Sequence, residues 1–183
     1  MLEIQRLKII IITDNGTYGF DEKFTRGLNF IASIDNTCGK SSVLEAIYYC
    51  LGFEEIIGGQ TEKVLTPVYK SNIKDEEKEY AVLQSSMLLQ ISNGHDIITI
   101  MRSAKMENRK SKLITVFYSP LENIYDKDTD KDDMYVHSSN SAQHEKGFHT
   151  FLEKFLGMSL PIVEQLIPST ENCIYSLFFL ECL

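Results

Sequence analysis

Ile34-Asp35-Asn36-Thr37-Cys38-Gly39-Lys40-Ser41-Ser42 decides how this chain is read. Before it lies Leu28-Asn29-Phe30-Ile31-Ala32, an apolar, β-type run that reads as a strand. After it, residues 40–51 place Val43, Leu44, Ile47, Tyr48 and Leu51 at three-and-four spacing, as on one face of a helix, with Gly52 as its stop. Strand, glycine-containing loop and helix in that order form the context in which GKS becomes a phosphate-binding loop. The chemistry requires this order, because loop N–H groups and the positive end of the following helix converge on phosphate. Gly39 leaves room for close backbone approach, and Lys40 would reach the β- and γ-phosphates. Ser41 would ligate Mg²⁺, and Ser42 would bond the α-phosphate. Ile34 stands where the full G-x-x-x-x-G-K-[ST] pattern has glycine. The plainer alternative is a strand-to-helix turn carrying a lysine; the flanking elements favour the phosphate loop.

Working outward, Leu7-Lys8-Ile9-Ile10-Ile11-Ile12 reads as a buried strand, turned by Asp14-Asn15-Gly16 into a half-buried strand over residues 20–24. Residues 53–79 read as a mixed loop ending in a charged run, residues 74–79. Residues 80–91 and 97–102 flank Asn93-Gly94, the strongest hairpin signal in the chain, and residues 113–118 read as one more strand. Six acidic residues between Leu121 and Asp133 predict an exposed loop through residue 147. Residues 148–156 predict a helix stopped at Gly157, while the apolar run 174–180 fits helix or strand equally well. The expected divisions are thus 1–52, 53–119, 120–147 and 148–183.

At 183 residues and 43% hydrophobic content the chain is long enough to bury a core, which argues against wholesale disorder. Its net charge of −8 argues against a nucleic-acid face on this segment, because phosphate backbones are held by clustered Lys and Arg. No apolar run is long enough to span a bilayer, no secretory signal is read, and Cys38, Cys50, Cys173 and Cys182 form no CxxC or zinc spacing. These features predict a reduced, cytoplasmic protein.

The order of motifs resembles the opening of an SMC-like, ABC-type ATPase head. The resemblance is carried by Ile4-Gln5-Arg6-Leu7-Lys8-Ile9, by residues 24–31, and by Asn36-Thr37-Cys38-Gly39-Lys40-Ser41-Ser42 followed by Val43-Leu44-Glu45-Ala46-Ile47. It continues through residues 87–94 and Ile97-Ile98-Thr99-Ile100-Met101-Arg102, similar to a hairpin whose second strand ends in a basic residue. Residues 148–161 look like the segment leading toward a Q-loop. The resemblance implies an α/β fold of α+β character: a mixed sheet with a strand–P-loop–helix unit and an antiparallel hairpin, the N-terminal half of such a head. It implies ATP and Mg²⁺ held by residues 36–42, nucleotide-driven head dimerisation, and DNA engaged through the assembly in repair or anti-phage defence. Thr37, like Ile34, replaces a loop glycine of that pattern, and the arginine that often follows the first strand has no counterpart at Thr13-Asp14-Asn15.

The other parts of such a head are not found. Ile57-Gly58-Gly59-Gln60 imitates a signature loop but lacks its serine, and reads as a loop. Leu177-Phe178-Phe179-Leu180-Glu181 lacks a Walker B aspartate, and Gln165 is a possible Q-loop residue, though the resemblance places that glutamine beyond Leu183. The expectation is an N-terminal lobe that needs a C-terminal lobe or partner chain, with no catalytic residue of its own and no membrane contact. The alternative is a non-enzymatic adaptor with a degenerate loop; a complete small kinase would need a Walker B aspartate. Asp126-Lys127-Asp128-Thr129-Asp130 imitates half an EF-hand, but Lys131 and His137 occupy the glycine and glutamate positions. His95, His137, His144 and His149 show no metal spacing, and Ser138-Ser139-Asn140-Ser141 reads as loop.

Overall fold

A computed structural model describes residues 1–32, 39–75, 78–136 and 147–158. The first apolar run forms β1 (Glu3–Thr13), which turns at Asp14-Asn15 into β2 (Gly16–Lys23). Alternation decides how β1 is used. Leu7, Ile9 and Ile11 are buried on one face, while Ile12 on the other is 38% exposed. The isoleucine run is therefore two-faced rather than buried throughout. Helix α1 (Lys40–Cys50) follows, then three single turns of 3₁₀ helix at Glu54–Ile57, Thr61–Val64 and Pro67–Tyr69.

Short β3 (Asn72–Asp75) pairs with the start of β4 (Lys78–Ser92), which pairs antiparallel with β5 (Ile97–Lys105) across the Asn93-Gly94 turn. The Asn93 side-chain oxygen accepts the backbone N–H groups of His95 and Asp96, the local bonding that makes asparagine a turn residue. Strand β6 (Leu113–Phe117) and edge strand β7 (Lys131–Tyr135) complete a seven-stranded sheet of order β2-β1-β4-β5-β6-β7, with β3 paired to β4 off this path. Helix α2 (Phe148–Leu156) ends at Gly157 in the left-handed conformation.

Three expectations are corrected. Every pairing between the described strands is antiparallel, where a mixed sheet is expected; the parallel contact among the described residues is an isolated bridge, Tyr135 to Gly147. The acidic stretch is not loop throughout, because Lys131–Tyr135 pairs with β6 and buries Met134. One inward apolar residue and a neighbouring free edge suffice to recruit it despite Asp132 and Asp133. Residues 28–32 form no strand. Leu28 and Phe30 are 79% and 83% exposed, and no described strand pairs with them in a hydrogen-bond ladder.

The architecture is α+β. One face of the sheet carries Leu7, Ile9, Met87, Leu89, Ile98, Ile100 and Ile114, and packs against Val43, Ala46, Ile47 and Cys50 of α1 and Phe148 and Leu152 of α2. The opposite face holds a smaller cluster of Leu88, Phe117, Leu121 and Ile124. Among the described residues no helix is long and apolar enough to cross a membrane.

Candidate functional site

Helix α1 starts at Lys40 because Gly39 takes up a left-handed backbone, φ +74°, that a side chain would strain. The Gly39 carbonyl accepts the Val43 N–H at 3.2 Å, the first helical bond. No side-chain cap bonds the start of α1 among the described residues, and its first turn holds no acidic residue. Ser41 is exposed at this end, whereas Lys40 and Ser42 are half-buried. Asn36, Thr37 and Cys38, the remaining residues expected to bind phosphate, lie outside the described residues, as do Ile34, Gln165, residues 174–181, His137, His144 and Ser138-Ser139-Asn140-Ser141.

A strap crosses the first two turns of α1. Ser42 Oγ lies 3.2 Å from Thr66 Oγ1, and the Thr66 N–H donates to Glu45 Oε2 at 2.9 Å. Tyr69 Oη donates to the Ser42 carbonyl at 2.7 Å, and Ser85 Oγ of β4 donates to the Tyr69 carbonyl at 2.6 Å. Burial raises the Tyr69 hydroxyl well above the usual phenol range, so it stays a donor at any physiological pH.

The other end of α1 is clamped by charge. Arg102 and Glu54 are fully buried and form a two-pronged ion pair, Nη2 to Oε1 at 2.6 Å and Nη1 to Oε2 at 2.9 Å. Arg102 also donates to the carbonyls of Tyr49 (2.6 Å) and Ser111 (2.8 Å), and its guanidinium sits 3.8 Å from the centre of the Tyr49 ring. The Tyr49 hydroxyl donates to the Ser103 carbonyl at 3.0 Å, and Glu54 Oε1 accepts the Thr61 N–H at 3.1 Å. Sequence reading places Arg102 at the end of a strand but finds neither Glu54 nor Tyr49 as its partners. The available signal is an arginine inside the apolar run of β5, which demands a buried carboxylate somewhere without saying where.

The other described candidates bond within the fold. Ile57-Gly58-Gly59-Gln60 joins two single-turn helices, with Gln60 Nε2 bonded to Glu55 Oε1 at 2.6 Å. His149 Nε2 meets the Gly52 carbonyl at 3.1 Å and its ring stacks on Phe53; His95 sits in the β4–β5 turn. No group of three or more His, Cys, Asp or Glu side chains among the described residues could hold a metal ion.

Comparison with protein families, with curated proteins and with solved structures finds no match to this chain. The geometry therefore defines the class by itself: an antiparallel α+β fold presenting a glycine-initiated helix start, braced at both ends of the helix.

Proposed function

We propose that this chain is the ATP-binding part of an SMC-like, ABC-type ATPase head that works on or with DNA. The observation that carries the reading is the Gly39-Lys40-Ser41-Ser42 sequence at the start of α1, with Gly39 in a left-handed turn. What supports the reading lies at the helix start. Among the described residues no side chain caps the helix start, Ser41 is exposed, and Gly39 holds a left-handed backbone that a side chain would strain. In this reading Asn36, Thr37, Cys38 and Gly39 cradle the phosphates by backbone N–H groups, and Lys40 neutralises the β/γ oxygens. Mg²⁺ would be held by Ser41 together with phosphate oxygens, which asks for no dedicated protein cage. A further lobe and a second head would supply the groups for hydrolysis, and DNA would be engaged through that assembly.

The test is calorimetric titration of ATP·Mg²⁺ into the chain and into Lys40→Ala. Lys40→Ala is expected to weaken binding at least ~10-fold because a charge-assisted contact is lost, with circular dichroism checking that the fold is retained. Equal affinities would sink the reading.

A second reading, an adaptor that binds a partner protein and no nucleotide, is favoured by the exposure of Leu28 and Phe30 beside β2. Absence of any nucleotide binding in the same titration selects it.

A further inference from the structure

We propose that Thr66 is a positioning residue for nucleotide: its hydroxyl orients the Ser42 hydroxyl toward the α-phosphate. The inference rests on the phosphate-loop reading of α1 and extends it to a segment 24 residues further along the chain.

Phosphate oxygens only accept hydrogen bonds, so Ser42 must spend its single proton on the phosphate. A serine in a helix ordinarily turns that proton back on a carbonyl one turn earlier, which would point it away from the ligand. Thr66 changes this balance. Its Oγ1 lies 3.2 Å from Ser42 Oγ, close enough to donate and to occupy a lone pair. With Thr66 donating, the Ser42 proton is left for an acceptor at the mouth of the helix.

Thr66 is itself held in place. Its N–H bonds Glu45 Oε2, Pro67 follows it and opens the single-turn helix Pro67–Tyr69, and buried Tyr69 bonds both the Ser42 carbonyl and, through its own carbonyl, Ser85 of β4. Fixed partners on both sides give the hydroxyl pair a defined geometry, the condition under which an outer residue can tune an inner one.

A strap that merely stiffens α1 would also bond the helix, so the experiment separates the two roles by a double-mutant cycle on the full chain. ATP·Mg²⁺ affinity is measured for wild type, Thr66→Val, Thr66→Ser, Ser42→Ala and the Ser42→Ala/Thr66→Val pair. Thr66→Val keeps the shape and removes the hydroxyl; it is expected to weaken binding roughly three- to tenfold, the worth of one net hydrogen bond. Thr66→Ser is expected to restore wild-type affinity. In the Ser42→Ala background, Thr66→Val is expected to cost nothing further. Wild-type affinity in Thr66→Val, or the same loss with and without the Ser42 hydroxyl, overturns the inference while leaving the phosphate loop standing. No binding by the wild type overturns the phosphate loop, and the inference falls with it. Should Thr66→Val fail to fold, Thr66→Ala takes its place in the same cycle.

Discussion

Arg102 shows how one side chain can govern a neighbourhood. Buried in β5, it uses its fork on Glu54 and on two backbone carbonyls, and lays its plane on Tyr49. Removing Glu54 alone would leave a guanidinium without its counter-charge in the core, so Glu54→Ala is expected to cost about 3–5 kcal/mol, enough to unfold a marginal domain. Urea denaturation measures this. Replacing Arg102 together with Glu54 by apolar residues of similar volume should cost less than Glu54→Ala alone. A second expectation concerns alkaline pH. Burial pushes the Cys50 thiol up to about 12 from an ordinary 9.0, against the pull of the Arg102 charge. The unfolded chain therefore releases this proton first, and the native state holds more protons as pH rises. Stability is complete below about pH 9 and falls as pH climbs toward 12, with Tyr49 and Tyr69, also raised by burial, adding to the fall. Urea midpoints across that window read the slope directly, and Cys50→Ala should make it shallower.

At the scale of elements, the two helices are joined where one ends and the other begins. Gly52 closes α1 with φ +72°, its carbonyl meets His149 of α2, and a Cβ there would come within 2.9 Å of both His149 Nε2 and Val136 Cγ1. Gly52→Ala therefore combines backbone strain with a collision, and is expected to destabilise by about 2–3 kcal/mol, beyond the roughly 1 kcal/mol of the left-handed backbone alone. Thermal melting of Gly52→Ala measures it. The same junction shows what a sequence can and cannot tell. Helices α1 and α2 were legible because their apolar residues recur at helical spacing and glycine follows each. The β4–β5 hairpin was legible because Asn93-Gly94 encodes its own turn. Strand β7 was not: Lys131-Asp132-Asp133-Met134-Tyr135 carries one inward apolar residue, and only the exposed edge of β6 makes it a strand. Residues 28–32 misled in the opposite sense, since β-type residues make a strand only where a partner takes up their ladder, and no described strand pairs with them. Of the candidate site, Gly39, Lys40, Ser41 and Ser42 could be found by motif, because their spacing is local. Glu54, Thr66 and Tyr69 could not, because a hydrogen bond across the fold leaves no spacing in the chain.

For the molecule as a whole, phosphate transfer to water needs an oriented nucleophile and charge on more than one side of the γ-phosphate. Lys40 and Ser41 would furnish one side. The chain by itself is expected to show no ATP turnover above background in a phosphate-release assay; Mg²⁺-dependent turnover abolished by Lys40→Ala would show that the whole catalytic apparatus lies within it. The order of the sheet has a consequence for how the molecule comes into being. Strand β1 sits between β2 and β4, with Glu3 opposite Ser92 and Thr13 opposite Val82. The β1–β2 ribbon leaves the ribosome ahead of β4, and the strand that covers its other edge is made only after everything from Asn15 to Ala81 has been translated. At about 5–20 residues per second that interval lasts on the order of several seconds, far longer than a hairpin takes to form. During it, Leu7, Ile9 and Ile11 must stay out of wrong partnerships with no sheet behind them. Arg6 and Lys8, paired to Asp21 across the ribbon, keep charge on its opposite face, the kind of residue that discourages one nascent edge from joining another.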